Sequence, residues 1–128
     1  MKLLLDTHVL LWAIGRPELL SQKARQAMLD ETNELVASVA SIWEITIKVQ
    51  AGKLELPVDA DYLETNLRKL GVTKYLPVDL YHVYRLARLP LLHKDPFDRL
   101  LIAQARVEKM TLLTRDESIR RYPVTTLW

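Results

Sequence analysis

Three short, unbroken apolar runs lie between longer segments with helical periodicity. The runs are Lys2–Leu5, Leu35–Ala37 and Thr111–Thr114, and weaker strand patterns cover Tyr75–Val78 and Val124–Leu127. An unbroken apolar run of this length is typical of a strand in a parallel sheet that helices cover on both faces. The chain is therefore expected to form a layered structure around such a sheet.

Helical patterns fill the intervals between the predicted strands. We predict helices over residues 18–31, 39–51, 60–70 and 80–89, a long helix that opens at Asp95-Pro96, and a short helix over 117–121. Aspartate followed by proline suits the N-cap and the first helical position, and Gly52 and Gly71 suit helix C-caps. Strands that alternate with helices predict an α/β sandwich around a mainly parallel sheet.

Length and composition exclude several classes of protein. The 128 residues suffice for a single domain, 1–128, and 49% hydrophobic and 27% charged residues are ordinary for a soluble globular protein. The chain has no cysteine, which excludes thiolate zinc sites, iron–sulfur clusters and cysteine nucleophiles. Stretches free of acidic and basic residues reach only nine residues, whereas a membrane span needs about 20. We expect a cytoplasmic protein without a membrane segment.

The charge is unevenly distributed along the chain. Residues 1–64 hold 6 basic and 10 acidic side chains, whereas residues 65–128 hold 12 basic and 6 acidic ones. A basic half suits an anionic partner, although an ordinary solvated surface explains the same numbers. The three glycines are too far apart for a dinucleotide fingerprint or a P-loop.

Four acidic residues are predicted to meet at one edge of the sheet. Asp6 and Asp116 follow predicted strands, and Glu44 and Asp98 lie in the first turns of predicted helices. The carboxyl ends of parallel strands and the N-termini of the following helices share one edge, where ligands bind. Crowded carboxylates repel one another, so such a cluster suits a divalent cation. Oxygen ligands select Mg²⁺ or Mn²⁺ over zinc, and such an ion is suited to phosphodiester hydrolysis.

Each of these acids also has an ordinary structural explanation. Asp6, Asp98 and Asp116 suit strand-end turns or helix N-termini, where a carboxylate accepts from free backbone N–H groups. Glu44 suits a capping box with Ser41 or an i,i+4 ion pair with Lys48. Taken singly, these explanations compete well with a metal site, and the argument for the site rests on the four acids together.

Three further polar residues lie beside the acids. Thr7 and Thr114 are placed either to bond a carboxylate or to cap the backbone at a strand end. Asp95 could assist the cluster, but its position before Pro96 is explained by helix capping alone. We therefore treat all three as supporting residues.

Four sequence blocks resemble one known family. They are Leu3-Leu4-Leu5-Asp6-Thr7-His8, Ser41-Ile42-Trp43-Glu44-Ile45, the segment from His93 to Ala105 that contains Asp95-Pro96-Phe97-Asp98-Arg99, and Leu112-Leu113-Thr114-Arg115-Asp116. In this order, they resemble the PIN-domain ribonucleases, and most closely the VapC-type toxins of bacterial toxin–antitoxin pairs. The resemblance runs from residue 3 to about residue 118.

The resemblance implies a three-layer α/β/α sandwich and an endoribonuclease that depends on Mg²⁺ or Mn²⁺. It assigns Asp6, Glu44, Asp98 and Asp116 to the active site. Asp6 and Asp98 would be the principal metal ligands, and the other two acids would complete the pocket directly or through water. It also implies a homodimer that a small cognate antitoxin silences. Many members have asparagine where this chain has His8, so the role of that residue is open.

Several basic and aromatic residues lie near these blocks. Lys94, Arg99 and Arg115 are candidates for contacts with RNA phosphates, although solvated helix faces would hold the same residues. Trp12 and Trp43 fit the core or a dimer interface better than a platform for stacking bases.

Three other functions remain as alternatives. A phosphorylated signalling receiver also has an acidic Mg²⁺ pocket, but it needs adjacent carboxylates after the first strand, where Asp6 stands alone. A catalytically inactive interaction module could use the same fold. A nuclease that cuts DNA is the third, because the preference for RNA comes from the resemblance alone.

Overall fold

The computed structural model describes residues 1–57 and 60–128. Five parallel strands form one sheet with the order β3-β2-β1-β4-β5. The strands are β1 (Lys2–Leu5), β2 (Glu34–Ser38), β3 (Val72–Leu76), β4 (Thr111–Leu113) and β5 (Thr126–Leu127). The predicted parallel α/β architecture is confirmed.

Seven α-helices surround this sheet in the described part of the chain. They are α1 (Thr7–Gly15), α2 (Gln22–Leu29), α3 (Val39–Gln50), α4 (Ala60–Lys69), α5 (Leu80–Ala87), α6 (Pro96–Val107) and α7 (Glu117–Arg120). A 3₁₀ turn, Pro17–Leu19, precedes α2. Gly52 and Gly71 follow α3 and α4 with φ angles of 72° and 95°, as expected of glycine C-caps.

The two faces of the sheet have separate apolar cores. Leu3 and Leu5 of β1 point to one face and pack with residues of α1, α2 and α4, whereas Leu4 points to the opposite face and packs with α6 and α7. This alternation follows from the two-residue period of a strand. The result is the predicted three-layer α/β/α sandwich.

Some boundaries differ from the sequence prediction. Helix α1 was not predicted, and the helix predicted over 18–31 is divided because Ser21 caps α2 by accepting from the Ala24 N–H. Strand β3 begins at Val72 and ends at Leu76, before Pro77, which has no N–H to donate. Strand β5 covers only Thr126–Leu127.

The register of the sheet fixes the position of the acidic edge. Leu5 of β1 is paired with Leu113 of β4, and the Asp6 N–H donates to the Leu113 carbonyl at 3.0 Å. The residues that follow these two strands therefore begin side by side. Among the described residues, none of the helices has the length and apolar character that crossing a membrane requires.

Candidate active site

Asp6 lies at the centre of the acidic edge, between β1 and α1. Its side chain is only 2% exposed. Oδ2 accepts from the hydroxyl of Thr114 at 2.7 Å, whereas Oδ1 is buried and has no hydrogen-bond partner among the described residues. An unpaired buried carboxylate oxygen is costly, so this atom is suited to accept a ligand.

Asp98 lies in the first turn of α6 and contacts a histidine. Its Oδ2 is 2.8 Å from Nε2 of His93, which comes from the loop before the helix. The backbone N–H of Asp98 donates to the N-cap residue Asp95, which also accepts from Phe97. Asp95 therefore has the capping role expected of it, and the Asp98 side chain is left for other contacts.

Asp116 completes a group of three potential ligands. Single ligand atoms of His93, Asp98 and Asp116 lie within 4.8 Å of one another. Asp116 is the N-cap of α7: its Oδ1 accepts from Ser118 N–H, and its own N–H donates to the Thr114 hydroxyl at 3.0 Å. Thr114 thus bonds to both Asp6 and Asp116, which joins the two strand ends into one site.

Among the described residues, Asp6, Asp98 and Asp116 form no ion pair with a lysine or arginine. The pKa of Asp98 is raised to about 6: burial raises it most, the hydrogen bond from His93 lowers it, and the charges of Asp6, Asp95 and Asp116 also raise it. Burial also raises the pKa of Asp6, against the bond from Thr114. These pKa shifts mean that the folded protein resists ionising the two acids.

The donors at this edge fit a divalent cation. Carboxylate oxygens and one imidazole nitrogen are present, and Oδ1 of Asp6 is unpaired. Carboxylate donors suit Mg²⁺ and Mn²⁺, and a bound cation would offset the charge that raises the pKa of Asp98. Asp6 also lines an open cavity of about 290 Å³ with His8, Trp12, Arg115 and Asp116.

Glu44 is buried on α3, apart from the contacts that join the other three acids. Its Oε2 is 3.0 Å from Nζ of Lys48, and its Oε1 has no hydrogen-bond partner among the described residues. Ser41, one turn earlier, accepts from the hydroxyl of Thr7 at 2.9 Å, which ties α3 to the start of α1. The membership of Glu44 in the metal pocket therefore stays a prediction.

The three basic candidates differ in what they contact. Lys94 and Arg115 are exposed. Arg99 is only 8% exposed, and its guanidinium donates to the carbonyls of Pro90 and Leu86 and to the hydroxyl of Tyr122. This side chain therefore helps to hold the loop before α6 in place, and its contact with RNA stays a prediction that its burial disfavours.

Sequence reasoning missed two residues that shape the site. His93 was assigned no specific partner, although its position five residues before Asp98 is compatible with a contact across the start of α6. The hydroxyl of Tyr122 accepts from the backbone N–H groups of Leu92 and His93, at 3.1 and 2.9 Å. Tyr122 thereby fixes the loop that carries His93, a contact between residues 29 positions apart for which the sequence offers no signal.

The chain is similar to known proteins in both sequence and fold. The chain is 28% identical over 132 residues to ribonuclease VapC22 of Mycobacterium tuberculosis, an alignment that covers 98% of this chain and 97% of that protein. The structure is similar to that of VapBC2 from Rickettsia felis bound to a DNA fragment from its promoter. That likeness has a TM-score of 0.73 at 16% identity and covers 99% of this chain and 98% of the other. FitAcB from Neisseria gonorrhoeae is similar with a TM-score of 0.60 at 17% identity, covering 98% and 96% of the two chains.

The two structural likenesses bear on the fold, and the sequence match bears on the family. The family model of the PIN domain matches residues 3–124, a range that includes all four sequence blocks and every candidate acid. VapC22 is a relative of the type that those blocks indicated. The chain therefore belongs to the PIN domain family.

Proposed function

We propose that this protein is an endoribonuclease that hydrolyses RNA phosphodiester bonds with the aid of Mg²⁺ or Mn²⁺. The observation that carries the proposal is the buried Oδ1 of Asp6, which has no hydrogen-bond partner among the described residues and lies beside Asp98 and Asp116. A folded chain retains such an arrangement at a cost in stability, and binding a cation is the function that accounts for it.

Asp6 and Asp98 are the proposed principal ligands, with Glu44 and Asp116 completing the pocket. A bound ion would neutralise charge on the reacting phosphate and lower the pKa of water so that it attacks at neutral pH. Carboxylates in this role must be held in a fixed orientation, because an ill-placed ligand weakens both binding and catalysis.

The chain supplies that orientation through hydrogen bonds to one oxygen of each principal ligand. Thr114 donates to Oδ2 of Asp6, and His93 bonds to Oδ2 of Asp98. In each carboxylate, the other oxygen is left without that bond and remains available to the ion. Thr114 also accepts from the N–H of Asp116, so one hydroxyl sets two of the acids.

We further propose that the protein acts as the toxin of a toxin–antitoxin pair. The likeness to VapC22 over nearly the whole chain supports this role. In this proposal a small cognate antitoxin covers the active site, and the nuclease itself is a homodimer. RNA cleavage by the free protein and its inhibition by the antitoxin are then separate properties.

The proposal is tested by incubating the purified protein, freed of any antitoxin, with total RNA and Mg²⁺ or Mn²⁺, with a chelator as control. We expect discrete cuts that leave 5′-phosphates and disappear with the chelator. A DNA duplex and single-stranded DNA belong in the same series, because the VapBC2 structure contains a promoter fragment. Cleavage of DNA but not RNA would replace the proposed substrate.

A pair of variants with the same chemical change tests the assigned site. Asp98→Asn keeps the side-chain shape and removes a proposed ligand, so cleavage should fall by about 10³-fold or more. Asp79→Asn makes the same change at the N-cap of α5, where asparagine caps equally well, and should leave cleavage unchanged. Wild-type cleavage rates for Asp98→Asn would show that the metal site is wrongly assigned.

A further inference from the structure

Arg115 lies between two residues of the site in the sequence. It follows Thr114, which bonds to Asp6, and precedes Asp116, so its backbone is fixed at the mouth of the pocket. Its side chain is exposed and lines the same cavity as the two carboxylates. In the part of the chain that the structure describes, Arg115 nevertheless forms no ion pair.

The guanidinium of Arg115 is held by an aromatic ring. Its Cζ lies 5.9 Å from the centroid of the Trp12 ring. A cation–π contact orients the guanidinium without neutralising its charge, and it leaves the edge N–H groups to donate. The arginine is therefore placed as a free positive charge with donors of the geometry that matches phosphate oxygens.

Trp12 is itself a fixed platform. It lies on α1, half-buried against the core on that face of the sheet. Its ring contacts His8 and Trp128, with centroid distances of 5.8 and 5.9 Å. The ring that carries Arg115 is thus packed on several sides, so the guanidinium has a defined position relative to Asp6.

A second cavity adjoins the site cavity at the ring that carries Arg115. His8 and Trp12 line both the site cavity of about 290 Å³ and this second cavity of about 530 Å³. The charged residues of the second cavity are mainly basic: Arg16, Lys48 and Lys53, with Glu55 as the acid. A nucleic-acid chain that occupies both cavities therefore lies beside the ring of Trp12 and the guanidinium that it carries.

We propose that Arg115, positioned by Trp12, binds the phosphate next to the one that is cleaved. This inference rests on the proposed ribonuclease function and adds a second subsite to it. The substrate is then an RNA segment with at least one phosphate besides the scissile phosphate. Arg115 is a binding residue for that group, and Trp12 is a positioning residue that acts through Arg115.

Steady-state kinetics on a short RNA that the wild-type protein cuts provide the first test. Arg115→Ala should raise KM about tenfold and leave kcat within about twofold, because a charge-assisted contact to a non-reacting phosphate affects binding. Trp12→Phe keeps an aromatic face and should raise KM by about threefold. Arg120→Ala removes an exposed arginine of α7 that does not line the cavity, and it should change neither constant.

Substrate chemistry gives the sharper test. A neutral methylphosphonate replaces, one at a time, the phosphates on either side of the cleaved bond. In the wild-type protein, one of the two replacements should raise KM as much as Arg115→Ala does, and the same replacement should have no further effect on the Arg115→Ala variant. Likewise, Trp12→Phe should add nothing in the Arg115→Ala background. Independent, additive effects of the replacements and Arg115→Ala would overturn the proposal, as would an unchanged KM for that variant.

A binding measurement keeps this inference separate from the ribonuclease function. Asp98→Asn protein is titrated with fluorescently labelled RNA at several salt concentrations, and the Asp98→Asn/Arg115→Ala variant is compared with it. The logarithm of the association constant falls linearly with the logarithm of the salt concentration. The magnitude of this slope should be smaller by about 1 in the double variant, as for one lost phosphate contact. Equal slopes overturn the subsite even if the wild-type protein cuts RNA, whereas absent cleavage with the expected change in slope overturns only the nuclease.

Discussion

Two clusters in the described part of the chain each hold three side chains of the kind that bind metal ions, yet their electrostatics differ. The His82 cluster consists of Asp79, His82 and Glu108, and the Asp98 cluster of His93, Asp98 and Asp116; in both, the ligand atoms lie within 4.8 Å of one another. By residue type and distance alone, the two clusters are equally good candidates for a metal site. Their hydrogen bonds separate them.

The His82 cluster is satisfied without an ion. The backbone N–H of Asp79 lies 3.1 Å from Nδ1 of His82, and because that group can only donate, Nδ1 must accept. The proton of the neutral ring is then on Nε2, which donates to Glu108 at 2.9 Å. Both ring nitrogens are occupied, so this cluster stabilises the fold by joining α5 to the end of α6.

The Asp98 cluster has the opposite character. It adjoins Asp6, whose Oδ1 is unpaired, and the pKa of Asp98 is raised to about 6 mainly by burial. The comparison teaches that ligand-type residues at short distances indicate a metal site where a buried carboxylate oxygen in or beside the cluster is left without a hydrogen-bond partner. The Asp98 cluster meets that condition, and the His82 cluster does not.

The largest expected difference between the clusters is in metal affinity. Calorimetric titration with Mn²⁺ should show that the wild-type protein binds the ion. Asp98→Asn should weaken this binding by about 100-fold or more, because a ligand is lost. Glu108→Gln removes a carboxylate from the His82 cluster and should leave the affinity unchanged. Equal losses in the two variants would mean that the electrostatic distinction does not predict the metal site.

The stability of the fold should depend on the His82 cluster, whose substitution leaves the metal affinity unchanged. His82→Ala removes a fully buried side chain and leaves the Asp79 N–H without its acceptor, so the free energy of unfolding should fall by about 3 kcal/mol. Urea denaturation measures this change, and Mn²⁺ affinity should stay at the wild-type value. A loss of Mn²⁺ binding by a folded His82→Ala protein would contradict the structural role.

The pH dependence of the free energy of unfolding tests the charge in the Asp98 cluster. It is measured in the presence of a chelator, so that no metal ion is bound. The pKa of Asp98 is about 6 in the folded protein, whereas the ordinary pKa of an aspartate side chain is 3.8. Between these values, the folded state binds more protons than the unfolded state, so stability contributed by this group is complete below pH 4 and is lost as the pH rises through 6. The contribution is about 3 kcal/mol.

Asp98→Asn isolates that contribution from other titrating groups. Asparagine keeps an acceptor for His93 and carries no charge, so at pH 7.5 the metal-free variant should be more stable than the wild-type protein. The difference should vanish at pH 4. Saturating Mn²⁺ should restore the stability of the wild-type protein alone. A variant that is less stable than wild type at pH 7.5 would show that the carboxylate is compensated within the protein.

The sequence was informative where local chemistry and topology decide the outcome. The convergence of Asp6, Asp98 and Asp116 follows from the parallel sheet, since strand ends and helix starts share an edge. Helix α1 was missed because Thr7–Gly15 is apolar on nearly all sides and lacks the polar face that marks an amphipathic helix. A helix covered by neighbours on most sides carries no periodic signal.

Side-chain partners across the fold were beyond the reach of sequence patterns. Arg99 resembles any basic residue in a helical first turn, yet it bonds to the carbonyls of Leu86 in α5 and Pro90 in the following loop and to Tyr122. The pairing of His93 with Asp98 likewise depends on where that loop lies. A residue's type and its nearest neighbours in sequence do not determine these contacts, because the partners are brought together by the packing of α6 against the end of the chain.

The smallest predicted effect concerns the orientation of a ligand whose charge is unchanged. Thr114→Val is nearly isosteric and removes the hydroxyl that donates to Oδ2 of Asp6 and accepts from the N–H of Asp116. Supporting contacts of this kind are worth roughly tenfold in metal affinity, so Mn²⁺ binding should weaken by about that factor. Thr114→Ser keeps the hydroxyl and should bind Mn²⁺ like the wild-type protein. If serine weakened binding and valine did not, packing by the Thr114 methyl group, and not its hydrogen bonds, would position Asp6.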